Sequence, residues 1–411
     1  MERYILHCDL NAFFASVEEA LNPSLRGFPV AVCGVPEDRH GIILAKNESA
    51  KKFGVKTAET IWQAKRKCPS LVLVTPHYEK YTEYSKAVND IYLKYTDLVE
   101  PFGIDESWLD ITGSAHLFGT PKQIADEIRG RIKKETDLTA SVGVSFNKSF
   151  AKLGSDYRKP DATTVISHEN FRDIVWPLPV GDLLFVGRSS VKTLSRLGIN
   201  TIGELANSDR RSISAILGKN GGIIHDYANG KDDAPVHSAF CEYEPKSVGK
   251  GTTFSHDLAE ISDIKTAVCA LSDNVAGRLR RQNMRCCAVS LTVRYPDFKT
   301  LSHQTTLPFP TYIERDISDS CMDIFLKYFA KSNKPVRMLT VTALNLVRAD
   351  ESAEQISLFL DMDARKKHEN IDLAVDRIRN KFGADAISKG SVIKNDFGLK
   401  RASARDNDIE I

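Results

Sequence analysis

The chain has 411 residues, of which 42% are hydrophobic and 27% charged, and its formal net charge is +2. This is an ordinary soluble composition, and the length suggests two to four domains. No apolar run approaches the roughly 18 to 20 residues of a membrane-spanning helix, and the N-terminus does not resemble a signal peptide. We therefore expect a cytoplasmic protein without a membrane partner.

The cysteine pattern argues against one class of metal site. The eight cysteines are scattered, with no CxxC pair and no Cys/His cluster at the spacing of zinc ligands. We expect reduced, mostly buried thiols and no metal held by sulfur.

The first residues predict a strand followed by a helix. The alternation in RYILHCDL predicts a strand with Asp9 at its C-terminal end. Asn11 is typical of an N-cap for a helix that carries Phe13 and Phe14 and ends near Asn22. The strands FPVAVCG and HGIILA and the helix ESAKKFG then predict a second compact unit, inserted early in the chain.

The following residues alternate helices with strands. Residues 78–95 predict a helix, and LVEPFGIDESWLDIT predicts a β-hairpin that turns at Gly103. A helix over about 121–135 precedes the strand LTASVGVSF and a helix capped by Asn147. This alternation predicts an α/β or α+β sheet covered by helices.

The second half of the chain predicts two different modules. Residues 183–207 suggest a helix, a tight turn at Gly198 and a second helix; such hairpins often contact DNA phosphates, although a plain helical hairpin explains the pattern equally well. Residues 246–346 have the order βαββαβ. Residues 245–346 contain 14 Lys and Arg against 9 Asp and Glu, so this module is basic, which points to DNA.

Three carboxylates stand out because they lie at the ends of predicted strands. Asp9 ends the first strand, and Asp105 and Glu106 are adjacent at the hairpin corner. Neighbouring strand residues point to opposite faces, so Asp105 and Glu106 can reach one site only at such a corner. If the three converge, they repel one another unless a cation lies among them, and Mg²⁺ prefers such oxygen ligands. That arrangement suits two-metal phosphoryl transfer, whereas solvated acids at loop tips are the simple alternative.

Several short segments occur in an order that is typical of one protein family. They are DLNAFFASVE (9–18), KKFGVKT (51–57), PFGIDESWLDITGS (101–114), ASVGVSFNKSFAKLGSD (140–156), RKPD (158–161), the hairpin that ends in LGINTIGELA, and QISLF (355–359). In these segments, which span about residues 1 to 360, the chain resembles the Y-family translesion DNA polymerases, the DinB/UmuC group.

The resemblance implies an α+β fold with the layout of a right-hand polymerase. Its parts are a palm (1–12 and 77–168), fingers (13–76), a helical thumb (169–236), a linker (237–245), a βαββαβ little finger (246–346) and a C-terminal tail (347–411). No part of this layout corresponds to a proofreading exonuclease.

The resemblance also implies roles for single residues. Asp9, Asp105 and Glu106 fall on the catalytic metal ligands, and the carbonyl of Leu10 is a further ligand, for two Mg²⁺ ions that Mn²⁺ can replace. Phe14 falls on the steric gate, where a flat ring against the sugar C2′ leaves no space for a ribose hydroxyl. The other implied nucleotide contacts are Phe13, Ala45, Lys46, Lys51 and Lys159. Packing within the first helix is the alternative for Phe13 and Phe14, and a solvated loop position is the alternative for Lys159.

The finger loop departs from the DinB pattern. DinB-like members carry Thr-x-Asn-Tyr-x-x-Arg where this chain has AKNESAK (45–51), so a hydroxyl, a phenol and a guanidinium are absent together. Lys51 supplies charge without the bidentate fork of arginine, and Lys46 is a candidate substitute. Together with Asn11, this loop looks closer to the UmuC branch. In the thumb, Phe185 and Arg188 interrupt a Gly-x-Gly turn, of which Gly187 remains. The sequence therefore does not decide whether this turn contacts phosphate.

The C-terminal tail contains one further motif. Gln355, Ile356, Ser357, Leu358 and Phe359 resemble a pentapeptide that binds sliding clamps, in which Leu and Phe fill an apolar pocket and Gln hydrogen-bonds at its rim. A short core strand is the alternative, but the polar flanks favour the clamp. Farther on, Ile371, Val375, Ile378 and Phe382 predict one apolar helical stripe.

We therefore expect a DNA-directed DNA polymerase that extends a primer with dNTPs opposite damaged template bases, at low fidelity and without proofreading. A clamp-tethered DNA-binding scaffold with little or no catalysis is the main alternative, in view of the altered finger loop. A nucleotidyl cyclase would share the acidic palm but would not need the hairpin segment or the basic module. We expect a monomer, and the UmuC likeness makes accessory subunits candidate partners.

Overall fold

The computed structural model describes residues 2–34, 41–241, 244–332, 334–350, 362–393 and 395–399. These residues fall into two compact units, one within 2–34 and 41–241 and the other within 244–399. Within these ranges, no helix has both the length and the apolar character needed to cross a membrane.

The first unit contains two sheets and the helices that cover them. Its strands are β1 (Ile5–Leu10), β2 (Val30–Cys33), β3 (Ile43–Lys46), β4 (Val72–Val74), β5 (Val99–Pro101), β6 (Glu106–Asp110), β7 (Ala140–Ser145) and β8 (Thr163–Ile166). Its helices are α1 (Phe13–Leu21), α2 (Glu48–Lys52), α3 (Ile61–Lys67), α4 (Tyr78–Tyr92), α5 (Ala115–Phe118), α6 (Pro121–Thr136), α7 (Lys148–Tyr157), α8 (Phe171–Val175), α9 (Arg188–Arg196), α10 (Ile202–Ala206), α11 (Arg210–Leu217) and α12 (Lys219–Ala228).

The larger sheet has the order β5-β6-β1-β7-β8, with β1 antiparallel to both of its neighbours. β7 is buried at every position and β1 at all but one, so even His7 of β1 and the serines of β7 lie inside the protein. Ile91 of α4 and Ile128 of α6 belong to the core that includes Leu6 of β1. The hairpin of β5 and β6 confirms the predicted turn near Gly103.

Glycine permits α7 to pack closely against the sheet. A Cβ atom on Gly143 of β7 would lie 1.8 Å from the carbonyl oxygen of Ala151 and 2.5 Å from the amide nitrogen of Ser155. Only a residue without a side chain tolerates this approach. The close contact determines where the side chains of α7 meet the sheet.

The first helix differs from the expectation in its cap, whereas the short helix α2 does have an asparagine cap. Asn11 does not cap α1, because Ala12 is the N-cap residue, with φ +48°, and no side chain caps that end. Asn11 is 6% exposed and its side chain instead binds Thr139 and Ser141, so the predicted cap is wrong. Asn47 is a true cap, because its side chain accepts a hydrogen bond from the amide of Ala50 in α2.

The predicted helical hairpin within 183–207 is present as α9 and α10. Gly198 has φ +78° in the turn, and a capping box of Thr201 and Glu204 starts α10. Phe185 has φ +66°, a left-handed conformation that favours glycine. The backbone therefore retains a glycine-like turn at this position although the residue is phenylalanine.

The second unit confirms the predicted βαββαβ order. Its elements are β9 (Ser247–Leu258), α13 (Ile261–Arg281), β10 (Met284–Arg294), β11 (Thr300–Thr311), α14 (Glu314–Tyr328), β12 (Val336–Arg348), α15 (Met362–Phe382) and α16 (Gly390–Ile393). The sheet is antiparallel with the order β11-β10-β12-β9, and its core is shared with α13 and α14.

Helix α15 is present, as the apolar stripe predicted, and two residues of that stripe remain exposed. Ile371 is 50% exposed and Phe382 is 67% exposed. The attachment is largely ionic: Arg280 of α13, whose side chain is 5% exposed, binds Asp372 at 3.0 Å and Asp376. The predicted helix is therefore confirmed, with Val375 and Ile378 partly buried, and the charged residues add ionic contacts with α13 that the stripe did not indicate.

Candidate active site

The structure brings the three predicted carboxylates to one end of the larger sheet. Asp9 lies opposite Glu106 in the antiparallel pairing of β1 with β6. The amide of Leu10 donates a hydrogen bond of 2.9 Å to the carbonyl oxygen of Asp105. Since Asp105 immediately precedes β6 and Glu106 is its first residue, both acids lie at the corner where they can serve one site.

Two lysines from the region of α7 bind these acids. Lys159 Nζ lies 2.7 Å from Asp9 Oδ2 and 2.7 Å from Asp156 Oδ1. Lys152 forms an ion pair with Glu106 Oε2, in which both side chains are largely buried. Each acid in these pairs has a cationic partner, and Lys159 is bound at the site rather than solvated in a loop.

His7 lies beneath the same corner. It is fully buried, its Nδ1 lies 2.8 Å from Ser155 Oγ, and its Nε2 lies 3.4 Å from Glu106 Oε2. Burial lowers the pKa of His7, so the ring is neutral at physiological pH. The imidazole and Lys152 thus approach the same oxygen of Glu106 from within the protein.

The carboxyl groups at this corner differ in their pKa values. Burial, together with the negative charges of Asp9 and Glu106, raises the pKa of Asp105 to about 6. Burial also raises the pKa of Asp9 in spite of the opposing charge of Lys159. For Glu106, burial is outweighed by the contacts with His7 and Lys152, which lower its pKa to about 2. The corner therefore has an excess of negative charge that is concentrated near Asp105.

The donor chemistry of this corner suits a hard divalent cation. Carboxylate oxygens are the ligands that Mg²⁺ prefers in proteins. Within the described ranges, no group of three or more His, Cys, Asp and Glu side chains is already arranged around a metal position. Asp9 and Glu106 are bound to lysines instead. The raised pKa of Asp105 nevertheless fits a cation site, because a bound cation would stabilise the ionised form of that acid.

The ring of Phe14 is supported from one side by an aromatic cluster. It stacks on Tyr81 with ring centroids 4.1 Å apart and an interplanar angle of 11°. Tyr81 is fully buried, and its hydroxyl donates a hydrogen bond to Glu18, which is 3% exposed. Phe13 is 3% exposed and packs in the core, so its side chain contacts protein rather than open space. The cluster fixes the plane of Phe14 at the start of α1.

The finger-loop residues occupy β3 and α2. Ala45 is paired with Val32 in the smaller sheet, whose order is β3-β2-β4. Lys46 Nζ lies 3.3 Å from Thr57 Oγ1, and burial lowers the pKa of Lys46. Lys51 Nζ lies 3.3 Å from Glu48 Oε1 on the surface of α2. Glu48 therefore offsets the positive charge of Lys51, the residue expected to take the place of the DinB arginine.

Sequence reasoning missed the groups that surround the acids. Lys152, Ser155 and His7 are within or next to the quoted segments, but no role was assigned to them. Lys152 and Ser155 are three residues apart, so they share one face of α7, which is a signal that the helical pattern contains. Tyr81 and Glu18 were missed because their contact joins residues 63 positions apart.

Comparisons with known proteins give a consistent result. Residues 8–156 match the model of the impB/mucB/samB family, and residues 245–358 match the model of the C-terminal domain of that family. The chain is 47% identical over 401 residues to a protein of Acetivibrio thermocellus named DNA polymerase IV, which covers 98% of this chain and 100% of that protein. It is 37% identical over 407 residues to DNA polymerase IV 1 of Bacillus subtilis strain 168, covering 99% and 97%.

One solved structure also has a similar fold. It is a chimera titled Y-family DNA polymerase Dbh-Dpo4(243-245)-Dbh, with a TM-score of 0.74 and 23% sequence identity. The similarity covers 84% of this chain and 99% of the chimera.

Proposed function

This chain belongs to the impB/mucB/samB family, the Y-family DNA polymerases, and from that premise we propose that Asp9, Asp105 and Glu106 form its catalytic centre. It is a template-directed DNA polymerase of the translesion type, which uses primer–template DNA and dNTPs and depends on divalent metal ions. The observation that supports this centre best is the pairing of Asp9 with Glu106 across β1 and β6. That pairing joins acids that are far apart in the sequence.

We propose Mg²⁺ as the natural metal, with Mn²⁺ as a substitute. The ligands would be the three carboxylates and the carbonyl oxygen of Leu10, which together would hold two ions. Held there, the ions would supply Lewis-acid chemistry, lowering the pKa of the primer 3′-hydroxyl and balancing the charge of the triphosphate.

Lys159 supplies a positive charge that is available for the triphosphate. Its pKa is raised, since the negative charges of Asp9 and Asp156 outweigh burial, so it stays protonated. Asp9 would hold the cations, and Lys159, which now contacts that carboxylate, would then bind phosphate. Lys152 and His7 keep their contacts with Glu106 and orient it.

Phe14 is proposed as the group that selects deoxyribonucleotides. Its ring is fixed against Tyr81, so it cannot turn away from a sugar placed against its other face. We expect Phe14→Ala to admit ribonucleotides, measured as the ratio of kcat/KM for dCTP to that for CTP in primer extension. An unchanged ratio would remove Phe14 from the gate.

The remaining assignments stay proposals that rest on sequence. The palm, fingers, thumb, linker and little-finger boundaries are retained as proposed, and so are a monomeric state, a cytoplasmic location, accessory subunits and a finger loop closer to the UmuC branch. Gln355–Phe359 lies outside the described residues, and its proposed binding to a sliding clamp is supported by its sequence alone. Loss of clamp binding in a Leu358→Ala, Phe359→Ala double variant would support it, and retained binding would refute it.

Primer extension with matched aspartate variants tests the catalytic centre. Asp105→Asn keeps the shape of the side chain and removes its charge, and we expect it to abolish extension with Mg²⁺ or Mn²⁺. Asp110→Asn at the other end of β6 should extend like the wild type, because the Asp110 side chain accepts a local hydrogen bond from the amide of Thr112, which the Asn side-chain oxygen can also accept. The scaffold alternative draws support from the pairing of Lys51 with Glu48, and it predicts that wild type and Asp105→Asn are equally inactive.

A further inference from the structure

Trp62 is a tryptophan of the first unit that lies open to solvent. Trp62 is 66% exposed, whereas Trp108 is 3% exposed. Trp62 lies in the first turn of α3, which a capping box of Thr60 and Gln63 holds in place. The guanidinium carbon of Arg66, one helical turn later, lies 4.8 Å from the centre of the Trp62 ring. The helix thus presents a flat ring beside a cation at the protein surface.

The segment around Trp62 is strongly basic. Residues 41–76 contain seven Lys and Arg and two Glu, a net charge of 7 − 2 = +5, in a chain whose total is +2. Aromatic rings combined with positive charges are the features with which proteins bind single-stranded nucleic acid, because bases stack on the rings and phosphates contact the cations. The charge therefore favours a polyanion over an apolar protein surface as the partner of Trp62.

We propose that Trp62 is a stacking platform for an unpaired template base, with Arg66 and the neighbouring lysines contacting the template phosphates. A base can stack on a protein ring only if it is not already stacked within a duplex. A primer–template has such bases in the template strand beyond the primer end, so that overhang is the occupant. The inference rests on the polymerase function and adds a contact to it.

The position of the platform agrees with this occupant. Ile42 forms an isolated β-bridge with Thr60, two residues before Trp62. Ile42 precedes Ala45, a proposed nucleotide contact, by three residues of extended chain, which is roughly 10 Å. Since α3 begins directly after Thr60, the residue paired with Ile42, Trp62 belongs to the same part of the fold as the proposed nucleotide contact at Ala45, and we expect the template bases just ahead of the copied one to pass there.

The test is DNA binding as a function of overhang length. Full-length protein is titrated, without nucleotide and at one salt concentration, into fluorescently labelled primer–templates with overhangs of about one or about eight nucleotides, and anisotropy gives each Kd. Base stacking in other proteins corresponds to roughly five- to hundredfold in affinity. We expect wild type to bind the longer overhang at least about fivefold more tightly, Trp62→Ala to lose this gain, and Trp62→Phe to keep most of it.

A second exposed aromatic residue provides the control. Phe53 is 52% exposed in the same basic segment, and Phe53→Ala should keep the full dependence on overhang length. The proposal is overturned if Trp62→Ala keeps that dependence, or if it weakens binding to both substrates equally. Since no nucleotide is added, this outcome is independent of primer extension, whose failure in the wild type would instead refute the proposed function.

Discussion

Replacing Gly143 by alanine should disrupt the contact between β7 and α7. The added Cβ atom would lie 1.8 Å from the carbonyl oxygen of Ala151 and 2.5 Å from the amide nitrogen of Ser155. Both obstructing atoms belong to the backbone of α7, so no side-chain rotation can make room. The helix must move away from the sheet, and it carries with it Lys152, the partner of Glu106.

The distance determines how large the effect should be. Carbon and oxygen atoms in contact prefer a separation of about 3.5 Å, so α7 must retreat by about 1.7 Å, the difference between 3.5 and 1.8 Å. Overpacking in cores costs about 1–3 kcal/mol and sometimes more. Because the clash is with rigid backbone, we expect Gly143→Ala to lower the free energy of unfolding by at least about 3 kcal/mol, a large part of the roughly 5–15 kcal/mol of a typical domain.

Urea unfolding followed by circular dichroism measures this loss. Gly130→Ala is the control, because Gly130 lies within α6 and an added Cβ would have no atom within 4 Å. That substitution should raise the stability by about 0.5–1 kcal/mol, since glycine is a poor helix former. Equal unfolding midpoints for Gly143→Ala and the wild type would refute the proposed packing of α7.

Three further predictions concern individual side chains. Tyr81→Phe removes the hydroxyl that donates a hydrogen bond to buried Glu18, and it should lower the free energy of unfolding by about 1–3 kcal/mol. It should also weaken discrimination against ribonucleotides. An unchanged ratio of kcat/KM for dNTP to that for rNTP would contradict the proposal that Tyr81 holds Phe14 in place. Arg280→Met leaves Asp372 and Asp376 of α15 without their buried partner, and it should lower the free energy of unfolding in urea by about 3–5 kcal/mol. Arg315→Met is the control: the Arg315 side chain is 62% exposed, so its loss should change that free energy by less than about 0.5 kcal/mol. For Asp161, burial is outweighed by the hydrogen bond from Arg129, so the pKa of Asp161 is lowered. The ionised carboxylate therefore stabilises the fold above the unfolded-state pKa of about 3.9, and this stabilisation is lost as the pH falls through the pKa of the folded state. Asp161→Asn should therefore lose less stability than the wild type between about pH 6 and about pH 3, and equal losses would refute this.

The acidic corner could be predicted because each step depended on local pattern. Gly103 and the flanking strand residues indicated a hairpin, and the hairpin placed Asp105 and Glu106 at its corner. Asp9 ended a strand that its alternation identified. Only the pairing of the two strands was non-local, and the family resemblance supplied it.

The cationic partners could not be predicted in the same way. Lys152 and Glu106 are 46 residues apart, and they meet because α7 crosses the sheet at Gly143, a packing detail that no periodicity contains. Asn11 was assigned to a helix cap because its type suits that role, but buried partners in other elements compete for its side chain.

The tail helix illustrates a different limit of sequence reasoning. Its apolar residues repeat at helical spacing, which predicted the helix correctly but did not indicate its ionic contacts. The contacts with α13 depend on Asp372 and Asp376, which are also one helical turn apart and lie opposite Arg280. Charged residues at that spacing are usually solvated, so their burial against a partner is visible only in three dimensions.

The central claim is that Asp9, Asp105 and Glu106 share bound divalent ions, and anomalous diffraction tests it most directly. Crystals of the protein with a dideoxy-terminated primer–template and a matching dNTP would be soaked in Mn²⁺, and data would be collected at the manganese edge. We expect anomalous peaks at about 2.1 Å from carboxylate oxygens of all three residues, with Lys159 moved from Asp9 to the triphosphate. Well-ordered DNA and nucleotide without such peaks at this corner, or peaks only elsewhere, would contradict the account.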